Sequence, residues 1–338
     1  MIVGITGGNG FIGSWIQDEL HRRGHKALIL DHKSRGVNTL LGDVRDETIV
    51  HELAAHVDGI IHLAAVLGTA ETIDNPRPAA ETNIIGTLNV FEAASRYNLP
   101  VVFAAVGNSG IGRGTYCLTK ACGEEFVKMY REDRGLRVTA VRPMNAYGPR
   151  QSAPAPYGPS KVRKIVPSFV CSALSGDPMR LYGGGTQYSD TVWVGDVAAV
   201  FVSALEAASD DVVPAHPIDV GNREPLRALD VAHAVQRFIP TAVIESVPMR
   251  AGEPEGGPLS TPQRVKVVQD AVMEAMPALD SIAVNRAVKQ LGTVVSANVE
   301  TLHLIGVTPD AFMPLAEGIE RTVNWFRENE GVTWRSPN

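Results

Sequence analysis

The 338-residue sequence is poor in the residues that mark several protein classes. It holds three cysteines, Cys117, Cys122 and Cys171. These are too few and too scattered for a disulfide framework or a zinc site. No run of 18 apolar residues occurs, so no segment reads as a membrane span. There is no long basic stretch: 31 Lys and Arg stand against 37 Asp and Glu, a net charge of −6. That balance argues against non-specific nucleic-acid binding. None of the nine histidines lies in an H-E-x-x-H or comparable spacing, and no catalytic metal is expected. Internal repeats and low-complexity tracts are absent. The opening MIVGITGGNG has neither a basic n-region nor a small-residue cleavage site, so it reads as the first strand of a fold. With 44% hydrophobic and 20% charged residues, the expectation is a cytoplasmic globular enzyme of about two domains.

Strand-like and helix-like segments alternate through the first 200 residues. Met1–Thr6, Lys26–Leu30, Gly59–Leu63, Val101–Ala105 and Val138–Arg142 are short apolar, β-branched runs. Phe11–Arg23 and Asn83–Tyr97 have helical spacing, the latter with Ile84, Leu88, Phe91 and Ala94 or Ser95 on the expected core face. Such alternation implies an α/β, doubly wound parallel sheet with helices on both faces. After Arg142 the composition changes. Six prolines lie between Pro143 and Pro167, and a second loop, Pro248–Pro262, holds four prolines and three glycines. Between them come a helix (Pro167–Ser175), a Gly183-Gly184-Gly185 turn and a strand–helix pair around Val192–Ala207. Helical patterns follow from Gln263 to Pro277, from Ile282 to Leu291 and over Ala316–Phe326. The expected division is 1–165 and 190–235 for a nucleotide-binding domain, with 166–189 and 236–338 as a smaller, discontinuous α/β substrate lobe.

Thr6-Gly7-Gly8-Asn9-Gly10-Phe11-Ile12-Gly13 follows the first strand and opens a helix. Glycines at 7, 10 and 13 allow a tight turn, close approach of the backbone to a pyrophosphate, and close helix–strand packing. The helix start then offers unpaired N–H groups to phosphate. The second strand ends on Asp31, eighteen residues after Gly13. A carboxylate there accepts both ribose hydroxyls of NAD and repels a 2′-phosphate. The neighbouring Lys33 and Arg35 leave NADP as the alternative.

Tyr116-Cys117-Leu118-Thr119-Lys120 opens another helix, whose core face is expected to run through Leu118, Cys122, Phe126 and Met129. Tyr116 and Lys120 are four apart and share a different face. A phenol ionises near pH 10; an ammonium one turn away, with a positive nicotinamide, would lower that value. Such a pair can remove and return a hydroxyl proton.

These motifs, taken in order, resemble the extended short-chain dehydrogenases, in their nucleotide-sugar epimerase/dehydratase branch. The resemblance runs through Thr6–Gly13, Asp31, Gly42-Asp43-Val44, His62-Leu63-Ala64-Ala65, Asn83-Ile84-Ile85-Gly86-Thr87, Tyr116–Lys120 and Arg142-Pro143-Met144-Asn145-Ala146-Tyr147-Gly148-Pro149. It continues in Gly183–Asp196, Met249-Arg250-Ala251-Gly252-Glu253 and Glu317-Gly318-Ile319. It implies a Rossmann domain binding NAD through Gly7, Gly10, Phe11, Ile12, Gly13, Asp31, Asp43, Val44, Leu63, Ala64, Ala65, Asn83, Tyr116, Lys120 and Pro143. Asp43 and Val44 would lie against the adenine. Asn108, Asn145, Ser189 and Arg250 would serve a nucleotide-sugar substrate, UDP- or dTDP-linked, with Arg250 at its diphosphate. An arginine suits that place because its fork bonds phosphate oxygens in pairs. The family habit of pairing two helices into a four-helix bundle implies a homodimer through Asn83–Tyr97 and Thr115–Glu132.

Two departures stand out. The strand before the catalytic helix normally ends in serines, one of which bonds the substrate hydroxyl; here it reads Val101-Val102-Phe103-Ala104-Ala105-Val106-Gly107-Asn108. Ser109, Thr115 and Asn108 are the candidates to replace that serine. Where relatives have a phosphate-binding arginine, Ser189 stands, leaving Arg250 and the basic Lys161, Arg163 and Lys164. The Asp-Glu pair of related dehydratases and the glutamate of related decarboxylases are also missing from Val106–Ser109. What remains is oxidation at C4 and re-reduction on the other face, a 4-epimerase. Two alternatives stay open: a dehydrogenase, reductase or dehydratase on a similar sugar, and a catalytically silent dinucleotide sensor or subunit. Glu124 and Glu125 read either as a solvated helix face or as the acid–base groups of an unusual dehydratase. Cys117 and Cys122 read as packing residues, and His62 as a satisfied core histidine. Asn83 either caps its helix or orients an active-site water.

Overall fold

The computed structural model describes residues 1–34, 38–68, 72–107, 114–154, 164–186, 191–221, 226–249 and 302–329. Seven strands form one parallel sheet: β1 (Ile2–Thr6), β2 (Lys26–Asp31), β3 (Thr39–Leu41), β4 (Gly59–His62), β5 (Val101–Ala104), β6 (Val138–Pro143) and β10 (Ile218–Val220). Their order is β10-β6-β5-β4-β1-β2-β3, so the winding reverses between β1 and β4. A crevice at the carboxyl ends of strands opens at such a reversal, and ligands of doubly wound sheets bind there. The expected strands fall in place to within a residue. Thr39–Leu41 was not expected as a strand; three residues are too few to carry a periodic signal.

The sheet is covered on one face by α1 (Phe11–Arg22) and α7 (Val194–Ser209), and on the other by α2 (Glu47–Ala54), α4 (Gly86–Tyr97) and α5 (Thr115–Arg134). The helix leading into α4 begins earlier than its spacing suggests, with α3 (Arg77–Ala80) and one widened π-turn, Glu81–Ile85. Phe91 and Ala94 are buried as their spacing predicts, and Ile84 and Leu88 are half-buried. Gly86, Thr87, Val90, Phe91, Ala93 and Ala94 point inward, and Ile85 is exposed.

A second core gathers α6 (Ile165–Ser175), α8 (Ala228–Phe238) and α9 (Leu315–Glu328) over two small sheets. One sheet pairs β8 (Met179–Tyr182) with β11 (Ile244–Val247); the other pairs β7 (Asn145–Tyr147) with β9 (Thr191–Trp193). The division expected at residue 235 falls inside α8. The two cores are stitched together by an aromatic edge, Trp15 on Trp193 at 5.4 Å, and Trp193 in turn packs on Tyr147 within the second core at 5.9 Å. Asp196 at the start of α7 adds a bond, accepting from the Met313 amide at 2.8 Å. Among the described residues no helix is long and apolar enough to cross a membrane.

Candidate active site

The glycine loop sits at the strand reversal and uses each glycine differently. Gly7 has φ +69°, and a Cβ there would lie 2.9 Å from the Ala64 backbone, so the loops after β1 and β4 touch. A Cβ on Gly13 would meet the Gly8 carbonyl oxygen at 2.5 Å, which fixes how closely α1 rides on the turn. Gly10 is the N-cap of α1 and carries no side-chain cap bond. Its nearest obstacle to a Cβ is the Gly7 oxygen at 3.2 Å. The room left at this helix start is what a pyrophosphate requires. At the end of β2, Asp31 is buried and held by two backbone amides, Asn9 N–H at 3.0 Å and Lys33 N–H at 3.2 Å. Each oxygen keeps a lone pair for a ribose hydroxyl. Residues 35–37, with Arg35, lie outside the described residues.

Behind the β4 loop runs a polar chain with one direction. Thr87 donates to the Asn83 carbonyl at 2.7 Å, so it accepts from His62 Nε2 at 3.0 Å. His62 Nδ1 is then unprotonated and accepts from Thr6 Oγ1 at 2.6 Å, while Thr6 accepts from the Ala64 amide at 3.2 Å. Burial, and secondarily Lys120, push the His62 pKa down to about 3. It is the satisfied core histidine expected, and it orients the loop that carries Leu63, Ala64 and Ala65. Asn83 does not cap its helix but sits inside the π-turn, with its side chain bonded to protein groups. Its Oδ1 accepts from Val66 N–H at 2.8 Å, and its Nδ2 donates to the Val66 carbonyl and to Thr119 Oγ1 at 2.9 Å. It thus joins the β4 loop to α5.

The inward face of α5 differs from the one its apolar spacing suggests. Cys117, Thr119, Lys120, Gly123, Val127 and Tyr130 are buried, whereas Leu118 is 60% exposed and Met129 is exposed too. The expected face through Leu118, Cys122, Phe126 and Met129 is therefore corrected. Two things outweigh the lost apolar burial. Thr119 and Lys120 find buried partners, and Gly123 lets the helix rest on Phe103, where a Cβ would collide with the ring. Cys117 is a buried packing residue as expected, and Cys122 is half-buried.

Tyr116 and Lys120 stand one turn apart at the carboxyl edge of the sheet. Lys120 is 2% exposed, donates to the Ala104 carbonyl at 2.7 Å and lies 4.8 Å from the Phe103 ring centroid. Burial pushes its pKa down to about 7, against a smaller upward pull from Glu124. The expected lowering of the Tyr116 phenol is not seen in the chain by itself: burial raises it above its ordinary value. Desolvation of both groups outweighs their spacing. Glu124 does not form the expected solvated face. Its carboxylate takes both Arg142 Nε, at 2.9 Å, and Arg142 Nη2, and Arg142 Nη1 lies 3.6 Å from Asp219. Only Glu125 is exposed.

Thr115, offered as a serine substitute, spends its hydroxyl proton on the Thr72 carbonyl at 2.9 Å. Val44 packs on Gly86, where a Cβ would meet it at 2.5 Å. Asp43 pairs with Arg45 at 2.7 Å, and that bond draws its pKa down. Phe11, Ile12 and Pro143 are half-buried around the crevice, and Asn145 begins β7. Asn108, Ser109, Ser189, Arg250, Lys161 and Arg163, with the 263–297 segment, lie outside the described residues. No cluster of potential metal ligands occurs among the described residues.

The sequence model of the NAD dependent epimerase/dehydratase family matches residues 3–221. The chain belongs to that family. It is 32% identical over 284 residues to UDP-N-acetyl-alpha-D-glucosaminuronate decarboxylase of Bacillus cytotoxicus, covering 75% of this chain and 85% of that protein. To UDP-glucose 4-epimerase of Mycolicibacterium smegmatis it is 30% identical over 230 residues, 59% of this chain and 72% of that protein. The structure of the Thermus thermophilus UDP-glucose 4-epimerase in complex with NAD superposes with a TM-score of 0.73 at 26% identity, covering 97% of this chain and 99% of that one. The cofactor is NAD, and the open N-cap at Gly10 together with the amide-held Asp31 carboxylate fits it.

Sequence reasoning missed three parts of this site: the Thr6–His62–Thr87 chain, the Glu124–Arg142 pair and Thr72. Each depends on residues far apart in the chain. One local signal was available for the last, since α5 has a glycine N-cap and no side chain of its own to fill it.

Proposed function

We propose that the chain is an NAD-dependent nucleotide-sugar 4-epimerase. The observation that carries this reading is the commitment of Glu124 to Arg142 beside the Tyr116–Lys120 pair. The next carboxylate along the catalytic helix is thereby withdrawn from acid–base work, leaving one proton-handling group for chemistry at one carbon. Tyr116 takes the proton of the C4 hydroxyl and returns it to the opposite epimer. Lys120 holds a positive charge one turn below and donates to the nicotinamide ribose. When bound, NAD supplies the hydride acceptor and donor at C4 and a positive ring beside the phenol. The outward apolar residues Leu118 and Met129 on α5 and Tyr97 on α4 support pairing of two copies across these helices. The likeness to the Bacillus decarboxylase favours a second reading, loss of carbon dioxide from a uronic acid after the same C4 oxidation.

The test is chromatography with mass detection after incubation with NAD and UDP-, dTDP- and GDP-sugars, uronic acids included, in heavy water. A new peak of unchanged mass supports the epimerase, and a product that has lost carbon dioxide and carries one solvent deuterium in its place supports the second reading. A product lighter by water overturns both, as does one lighter by two hydrogens with accumulating NADH. Tyr116→Phe should abolish turnover and keep NAD binding. Absence of any product would turn the reading to a silent dinucleotide-binding protein.

A further inference from the structure

Two helices of the site begin on glycine N-caps, and the structure treats them oppositely. At α1 the cap is left open. At α5 the cap is Gly114, which has no side chain to accept from the first turn. A helix start normally receives a Ser, Thr or Asp oxygen on its second or third amide. Here Tyr116 is the second residue of α5, and its own backbone N–H donates to Thr72 Oγ1 at 3.3 Å. Thr72 is buried, and its hydroxyl proton goes to the Gly68 carbonyl at 2.7 Å. The tie is reciprocal, since Thr115 donates to the Thr72 carbonyl at 2.9 Å.

We propose that Thr72 is a positioning residue for the catalytic tyrosine, supplying from a distant segment the N-cap that α5 lacks. Leu63–Ala65 lies against the glycine loop, and Asn83 fastens the adjoining Val66 to Thr119 of α5. Helix α5 is thus tied to the cofactor floor through Asn83 and, at its first turn, to Thr72. The register between the dinucleotide and the phenol is fixed through these two fastenings. A misplacement of about 1 Å in such a pair is enough to cost on the order of a hundredfold in rate. This inference rests on Tyr116 being the acid–base group.

The experiment uses full-length protein with NAD, tyrosine labelled with ¹⁵N in the backbone and ¹³C at Cζ, and Tyr116→Phe to assign the Tyr116 signals. Thr72→Val removes the acceptor at nearly constant shape, and Thr72→Ser keeps it. In Thr72→Val the Tyr116 amide should exchange with solvent about fivefold faster or more, the equivalent of one cap, and its Cζ signal should move. Thr72→Ser should leave both as in the parent. On a sugar that turns over, Thr72→Val should lower kcat on the order of tenfold with KM within about twofold, and Thr72→Ser should restore it. Should the valine variant not fold, Thr72→Ala removes the same acceptor. An unmoved amide or Cζ signal in Thr72→Val overturns the proposal, as does a displaced signal with full kcat. If no sugar turns over, the epimerase reading fails, while the two resonances still decide whether Thr72 holds Tyr116.

Discussion

Replacing Lys120 by methionine should abolish turnover and make the folded protein more stable in the absence of nucleotide. The lysine is buried, and burial lowers its pKa from 10.5 to about 7. Every tenfold change in an acid constant corresponds to about 1.4 kcal/mol. Holding the ammonium therefore costs on the order of 5 kcal/mol below pH 7 and about 4 kcal/mol at pH 7. Methionine fills similar space without charge. It gives back part of the gain, because the Ala104 carbonyl loses its 2.7 Å donor, a loss of about 1–3 kcal/mol. The net expectation is stabilisation by about 2 kcal/mol at pH 7. The sign also fixes a pH dependence. A group with a depressed folded pKa is least unfavourable above its unfolded value, so the penalty fades as pH rises from 7 to 10.5. Urea unfolding of parent and variant at pH 7 and pH 9, without nucleotide, should show the gap narrowing by about 2 kcal/mol. A variant no more stable than the parent at pH 7, or a gap that does not narrow, would refute the reasoning.

Glu124→Gln should destabilise the fold by about 2 kcal/mol, since it removes the carboxylate that Arg142 grips with two nitrogens and leaves only Asp219, 3.6 Å away, to compensate the guanidinium. Denaturant unfolding reads the loss, and turnover per folded molecule should persist; its disappearance would return Glu124 to acid–base chemistry. Asp196→Asn should act in the opposite sense. Burial raises the Asp196 pKa from 3.8 to about 6, a penalty that is absent below the unfolded value and full once pH exceeds the folded one. The variant should gain about 1–2 kcal/mol at pH 7.5, allowing for partial solvent access, and nothing at pH 4, as measured by thermal unfolding at the two pH values.

The nucleotide half of the site was legible because each of its signals is local. Gly7, Gly10 and Gly13 answer to three separate short-range demands, and Asp31 follows directly from where β2 ends. Helix α5 was legible in part. Tyr116 and Lys120 announce themselves by spacing, but the face they occupy does not. A pattern reading buries Leu118 and Met129 because it counts apolar residues, whereas the fold buries Thr119 and Lys120 because Asn83 and the Ala104 carbonyl wait for them. Glu124 misled for the same reason. Its partner Arg142 lies on strand β6, and a carboxylate with a guanidinium fork is not the exposed residue that composition suggests. The π-turn before α4 is likewise invisible to a period of 3.6, although Phe91 and Ala94 beyond it are buried as their spacing predicts.

Helix α7 bears on how the protein is made. Ten of its residues are buried, among them Val194, Val197, Val200, Phe201 and Leu205, and they close the sheet face that α1 covers only in part. Strands β1, β4, β5 and β6 precede it in the chain, so they can pair before that cover exists. Roughly 190 residues separate the end of α1 at Arg22 from the end of α7 at Ser209. At about 5–20 residues per second, ribosomes need on the order of 10–40 s to cross that span. During that interval Val3 and Ile5, joined by Ile61 and then Val102 as they are made, lack the helix that covers them in the finished fold. The nascent chain is thus most prone to aggregate after its nucleotide-binding motifs have emerged and before α7 follows.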